Sequence, residues 1–148
     1  MAVKLGDVFN YPGTESEDGL DTYYRNKGGW HIHLVVKTDE SRGDAYLVPL
    51  STVLRDRTCE IEVKDGCPLV TKPCVAAYIH GKKMRLRVLQ EVGVHSGQAP
   101  EKLLERVLAG IRTSPNSPQW FKDAVCPPAR AGRILPVTSS PPAPPARW

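Results

Sequence analysis

The chain of 148 residues contains no apolar run near the roughly 20 residues that a membrane span requires. No spanning helix and no membrane partner are expected. No apolar h-region follows Met1, so the cytoplasm is the expected compartment. Cysteine is sparse, and Cys59, Cys67, Cys74 and Cys126 form no C-x-x-C pair. Without a secretion signal, a disulfide framework is not expected. Cys59, Cys67 and Cys74 taken with His31 or His33 match no standard zinc spacing. Neither metal nor any other cofactor is expected. Also missing are the phosphate-gripping Gly-x-x-x-x-Gly-Lys-Ser/Thr, the Gly-x-Ser-x-Gly elbow and the Rossmann glycine fingerprint. Their absence weakens the commonest nucleotide-binding and hydrolase readings.

Apolar residues make up 41% of the chain and charged residues 24%, ordinary values for a globular domain able to bury a core without staples. The net charge is +4. Three of those positive charges, Arg130, Arg133 and Arg147, lie beyond Cys126, where no acid offsets them. The body is thus nearly neutral, and any nucleic-acid footprint must be a local patch.

Seven of the fourteen prolines also lie beyond Cys126, so residues 126–148 read as a disordered or polyproline-like tail. Residues 96–125 read as helical. Pro100 suits a first helical position, Leu103, Leu104, Val107, Leu108 and Ile111 share one face, Ser114-Pro115 stops the helix, and Ser117-Pro118 opens a second. Residues 1–95 read as strands at Lys4–Asn10, Trp30–Thr38, Ala45–Leu50, Thr58–Val63, Val75–Ile79 and Met84–Val92. Asp39–Asp44 reads as a hairpin turn, and Tyr11–Gly29 as a long loop carrying Glu15, Glu17, Asp18 and Asp21. Those acids repel nucleic acid and argue against a phosphate contact by the loop. The fold class is mostly β with C-terminal helices (α+β), arranged as a small closed β-barrel.

The segment Trp30–Thr52 concentrates candidate chemistry. His31 and His33 occupy alternate strand positions, so they share a face about 7 Å apart. Two imidazoles at that spacing suit a general base and a general acid acting on an RNA phosphodiester. The same pattern also fits two polar residues on a solvent-facing strand. Ser51 and Thr52 end the next strand and could donate hydrogen bonds to a phosphate oxygen, or simply close a turn. Lys72, Lys82, Lys83, Arg85 and Arg87 form a basic group, with Lys83, Arg85 and Arg87 alternating. Such a face serves phosphate binding or protection of an edge strand. Tyr23, Tyr24, Trp30 and Tyr78 are candidates for stacking on bases.

Gly6-Asp7-Val8, then Gly28-Gly29, then His31-Ile32-His33-Leu34-Val35-Val36-Lys37-Thr38, then Leu47-Val48-Pro49-Leu50-Ser51-Thr52 together resemble the PemK/MazF-like toxins. The segments Thr58-Cys59-Glu60-Ile61, Asp65-Gly66-Cys67-Pro68-Leu69-Val70 and Lys72-Pro73-Cys74-Val75-Ala76-Ala77-Tyr78 resemble a divergent, histidine-bearing branch, as does Ser114-Pro115-Asn116-Ser117-Pro118. The resemblance spans roughly residues 4–124. It implies an SH3-like barrel of the CcdB/MazF group, often a homodimer, cleaving single-stranded RNA and neutralised by a cognate antitoxin. The Ser/Thr site matches at Ser51 and Thr52, whereas the family arginine at the start of the second strand has no counterpart. The expected roles are therefore His31 and His33 as acid and base, Ser51 and Thr52 orienting the phosphate, and Lys72 stabilising charge. Trp30, Lys72, Tyr78, Lys83 and Arg85 are expected to bind RNA. The alternative is a non-catalytic toxin or an SH3-like binding module. One relative in that fold group poisons DNA gyrase by binding it, so the fold does not decide between them.

Overall fold

The computed structural model describes residues 2–11 and 31–126. Trp30, Tyr23, Tyr24, the acidic loop after Tyr11 and the proline-rich tail lie outside the described residues. Seven strands are described: β1 (Asp7–Tyr11), β2 (His31–Asp39), β3 (Asp44–Ser51), β4 (Glu60–Ile61), β5 (Cys74–Ala76), β6 (Lys82–Arg85) and β7 (Val94–Gln98). Three α-helices accompany them: α1 (Leu86–Val92), α2 (Glu101–Thr113) and α3 (Gln119–Val125). All pairings are antiparallel. The ladder runs β4-β5-β3-β2-β1-β7, with β6 also on β3. The fold is mostly β with C-terminal helices. Among the described residues the ladder stays open, ending on β4 and β7, and does not form the closed ring expected from the strand pattern.

The β2–β3 hairpin is the centre of the sheet, and its turn is built by local chemistry. The Ser41 hydroxyl donates to Asp39 Oδ1 at 2.8 Å, and Gly43 takes a left-handed φ of 72°. A bulge between Val35 and Lys37 bends the pair. Both faces of the sheet are covered, since neighbouring residues alternate between two cores. Val8, Leu34, Val48 and Leu50 belong to the core closed by Leu103, Val107 and Ile111 of α2 and by Phe121 of α3. Phe9, Val35, Leu47 and Met84 belong to the other, closed by Leu89 of α1. Each such large side chain contributes about 1.5–3 kcal/mol on burial. At Gly110 of α2 the Tyr78 ring occupies the space a Cβ would need. The Tyr78 hydroxyl donates to the Val107 carbonyl at 2.8 Å.

Several element boundaries differ from expectation. Met84–Val92 is strand only to Arg85, after which Leu86, Leu89 and Val92 turn one helical stripe toward the second core. Thr58–Val63 reduces to a two-residue strand followed by a 3-10 turn at Val63–Asp65. Val75–Ile79 ends as strand at Ala76 and continues as a 3-10 turn, Tyr78–His80. Residues 94–98, placed across the boundary between strands and helices, form the edge strand β7, whose Gly97 needs a φ of 126°. Pro100 and Pro118 each sit at the N-cap, one position before the first helical residue.

Candidate functional site

The end of β3 separates two grooves. Ser51 pairs with Val75 of β5 and faces a cavity of about 320 Å³. Thr52, the next residue, faces a smaller one of about 80 Å³. β3 ends at Ser51 and the chain bends at Thr52, so the two neighbouring side chains line different grooves.

In the larger groove Ser51 meets Arg55, Asp56, His80 and Asn116, with Val53, Val75, Ala77 and Ile79 supplying apolar walls. Ser51 Oγ accepts the Val53 N–H at 3.0 Å, which turns the chain so that Arg55 comes over the same cavity. Asp56 is buried and accepts hydrogen bonds from the Thr58 N–H at 3.0 Å, the Thr58 hydroxyl at 2.6 Å and the Ser114 hydroxyl at 2.6 Å. Burial opposes its charge, but the Ser114 and Thr58 donors outweigh that effect and hold its carboxyl below the usual range. The Asn116 N–H donates to Ser114 Oγ at 3.0 Å, fixing Asn116 on the groove wall. His80 closes the 3-10 turn and is half-buried. Burial, and then the Lys82 ammonium, push its pKa below the ordinary 6.5. The groove therefore offers a hydroxyl, a guanidinium and a neutral imidazole.

The expected histidine pair does not form a phosphate site. His33 is fully buried, edge-on to the Tyr11 ring at 5.7 Å between centroids. Its Nδ1 lies 3.0 Å from the His31 carbonyl oxygen. Burial, followed by repulsion from Lys82, pushes its pKa down to about 3. His33 is thus a neutral core imidazole, out of reach of an RNA phosphate. Lys82 is equally buried, with Nζ 5.2 Å from the Tyr11 ring centroid, so it is not part of a surface basic group. His31 is half-buried and paired across from Tyr11. Tyr78 is fully buried and cannot stack on a base. Lys83 and Arg85 are exposed on alternate positions of β6, but Arg85 pairs with Asp44, at the opposite end of β3 from Ser51. Seven residues of strand rise put roughly 23 Å between those ends. Lys72 is exposed beside the smaller groove with Thr52.

Arg55, His80 and Asn116 were not singled out from the sequence. The polar run Arg55-Asp56-Arg57-Thr58 directly after Ser51-Thr52, with its Asp-x-Thr turn, was the one local signal for them. Elsewhere, buried Asp7 binds the Lys4 N–H at 2.8 Å and Gln98 Nε2 at 2.6 Å, with His95 Nε2 at 3.1 Å, which staples β1 to β7. Among the described residues no three His, Cys, Asp or Glu side chains gather to hold a metal. Burial pushes the Cys67 and Cys74 thiols up to about 11, which leaves them unreactive near neutral pH. No helix among the described residues is long and apolar enough to cross a membrane. No protein-family model matches the chain, and no curated protein matches it.

Proposed function

We propose that this protein is a metal-independent endoribonuclease acting on single-stranded RNA, the toxin of a toxin–antitoxin pair, on an SH3-like barrel of the PemK/MazF kind. The observation that carries the reading is the convergence of Ser51, Arg55 and His80 on one open groove at the end of β3. His80, neutral near pH 7, takes the proton of a ribose 2′-hydroxyl. The 2′-oxygen then bonds to phosphorus as the P–O5′ bond breaks, and the leaving 5′-oxygen takes a proton from water in the open groove. Arg55 holds the non-bridging phosphate oxygens, which gather charge in the transition state. Ser51 orients the same phosphate. The products are a 2′,3′-cyclic phosphate and a 5′-hydroxyl. A cognate antitoxin and a second copy of the chain are the partners that accompany this reading.

A second reading, a non-catalytic binding module, is favoured by one feature: Val53 and Ile79, which line the groove, are exposed, as in a protein-binding patch. Expression in a sensitive bacterial host separates the two. Growth arrest with fragmented total RNA supports the ribonuclease, whereas arrest with intact RNA leaves only the binding module.

A further inference from the structure

The smaller groove contains a residue whose backbone conformation does not suit it. Cys67 to Val70 form a turn closed by the Val70 N–H on the Cys67 carbonyl at 3.2 Å. Pro68 takes its second position, and Leu69 its third at a φ of 73°. A turn of this kind with positive φ at the third position favours glycine, because a branched side chain there strains the backbone. The turn has little room to relax, since Pro68 packs against Gly97 of β7. The leucine is not sunk into the core in return, as 44% of it is exposed. Strain of this kind, held on an exposed side chain at the rim of a cavity, is typical of ligand clamps.

Around Leu69 the groove combines apolar surface with hydroxyls and a cation. Ile32, Leu50 and Val70 give apolar surface, Thr52 and Thr71 contribute hydroxyls, and exposed Lys72 contributes a cation. It adjoins the catalytic groove across the single step Ser51–Thr52. We infer that the Leu69 groove binds the base of a nucleotide next to the scissile phosphate, with Leu69 against the base face and Lys72 on the adjoining phosphate. The inference rests on the single-stranded RNA reading. It adds a specificity-determining subsite on the far side of the strand end.

Leu69→Gly tests it, because glycine is what the turn prefers. The full-length chain is titrated against a short, fluorescein-labelled 2′-O-methyl oligonucleotide of mixed sequence, which binds without being cleaved. Leu69→Gly is expected to keep or raise the thermal midpoint and to weaken binding about fivefold. Leu69→Asn, which also tolerates positive φ, gives the same loss and covers the case in which the glycine variant folds poorly. Lys72→Gln lowers the salt slope of binding by about 1. Wild-type affinity in both Leu69 variants overturns the subsite even if the wild-type protein cleaves RNA. Leu69-dependent binding by a wild-type protein that does not cleave keeps the subsite and removes the ribonuclease reading. No binding of the oligonucleotide by the wild-type protein removes both.

Discussion

Ser114 Oγ donates to Asp56 Oδ2 at 2.6 Å in a buried contact between positions 58 residues apart. It joins the turn between α2 and α3 to the loop after β3, and those two segments supply Asn116 and Arg55 to the larger groove. The buried Asp56 carboxylate thus ties the two segments of the groove together.

Removing that donor has a defined cost. Ser114→Ala leaves a buried carboxylate oxygen without its partner and is expected to lower stability by about 1–3 kcal/mol in urea unfolding. The folded-state pKa of Asp56 is depressed, so its stabilisation is present above about 3.8 and is lost as pH falls through the lowered folded value. Ser114→Ala should shrink that acid-side loss, which a comparison of unfolding at neutral and acidic pH reads directly.

His33 produces a pH dependence of its own. Unfolded, it titrates near 6.5; folded, at about 3. Between those values the unfolded chain binds the extra proton, so stability declines as pH falls from about 6.5 toward 3. His33→Phe keeps an aromatic ring beside Tyr11 and removes the titration. Its thermal midpoint should change less between pH 7 and pH 4 than that of the wild type, even if it starts lower.

Gly110 has no room for a side chain. A methyl group there falls on the Tyr78 hydroxyl, and α2 and the 3-10 turn that carries His80 must separate. Gly110→Ala should cost about 1–3 kcal/mol or somewhat more. Tyr78→Phe added to it should recover part of the loss, as a double-mutant cycle in urea would show.

The hairpin of β2 and β3 and helix α2 are legible because their signals are local. β-branched strands flank an Asp-Ser-Gly turn in the first, and one apolar stripe marks the second. α1 was misread because Val88 and Val92 favour strands and seven residues are too few to fix a period. β7 was missed because Ser96 and Gly97 interrupt any alternation. The site was half legible. Ser51 and Thr52 stand at a strand end that the sequence marks, but His31-x-His33 implies a solvent face only if one side of the sheet is bare. Here both sides are covered, so the alternation buries His33. Arg55, His80 and Asn116 come from three separate segments, and no local pattern announces their meeting.

The acidic limit of activity should follow His80. Its pKa lies below 6.5, so kcat/KM for RNA cleavage should hold level down to about that pH and fall only below it. A limb well above pH 6.5 would assign the base to another group.

The most direct measurement is end-mapping of a single-stranded RNA incubated with the purified protein in EDTA, beside His80→Asn. The expected result is cleavage to 2′,3′-cyclic phosphate and 5′-hydroxyl ends, reduced about a hundredfold or more in His80→Asn with folding intact. Intact RNA with the wild-type protein, or equal cleavage by His80→Asn, would contradict a catalytic groove built on Ser51, Arg55 and His80.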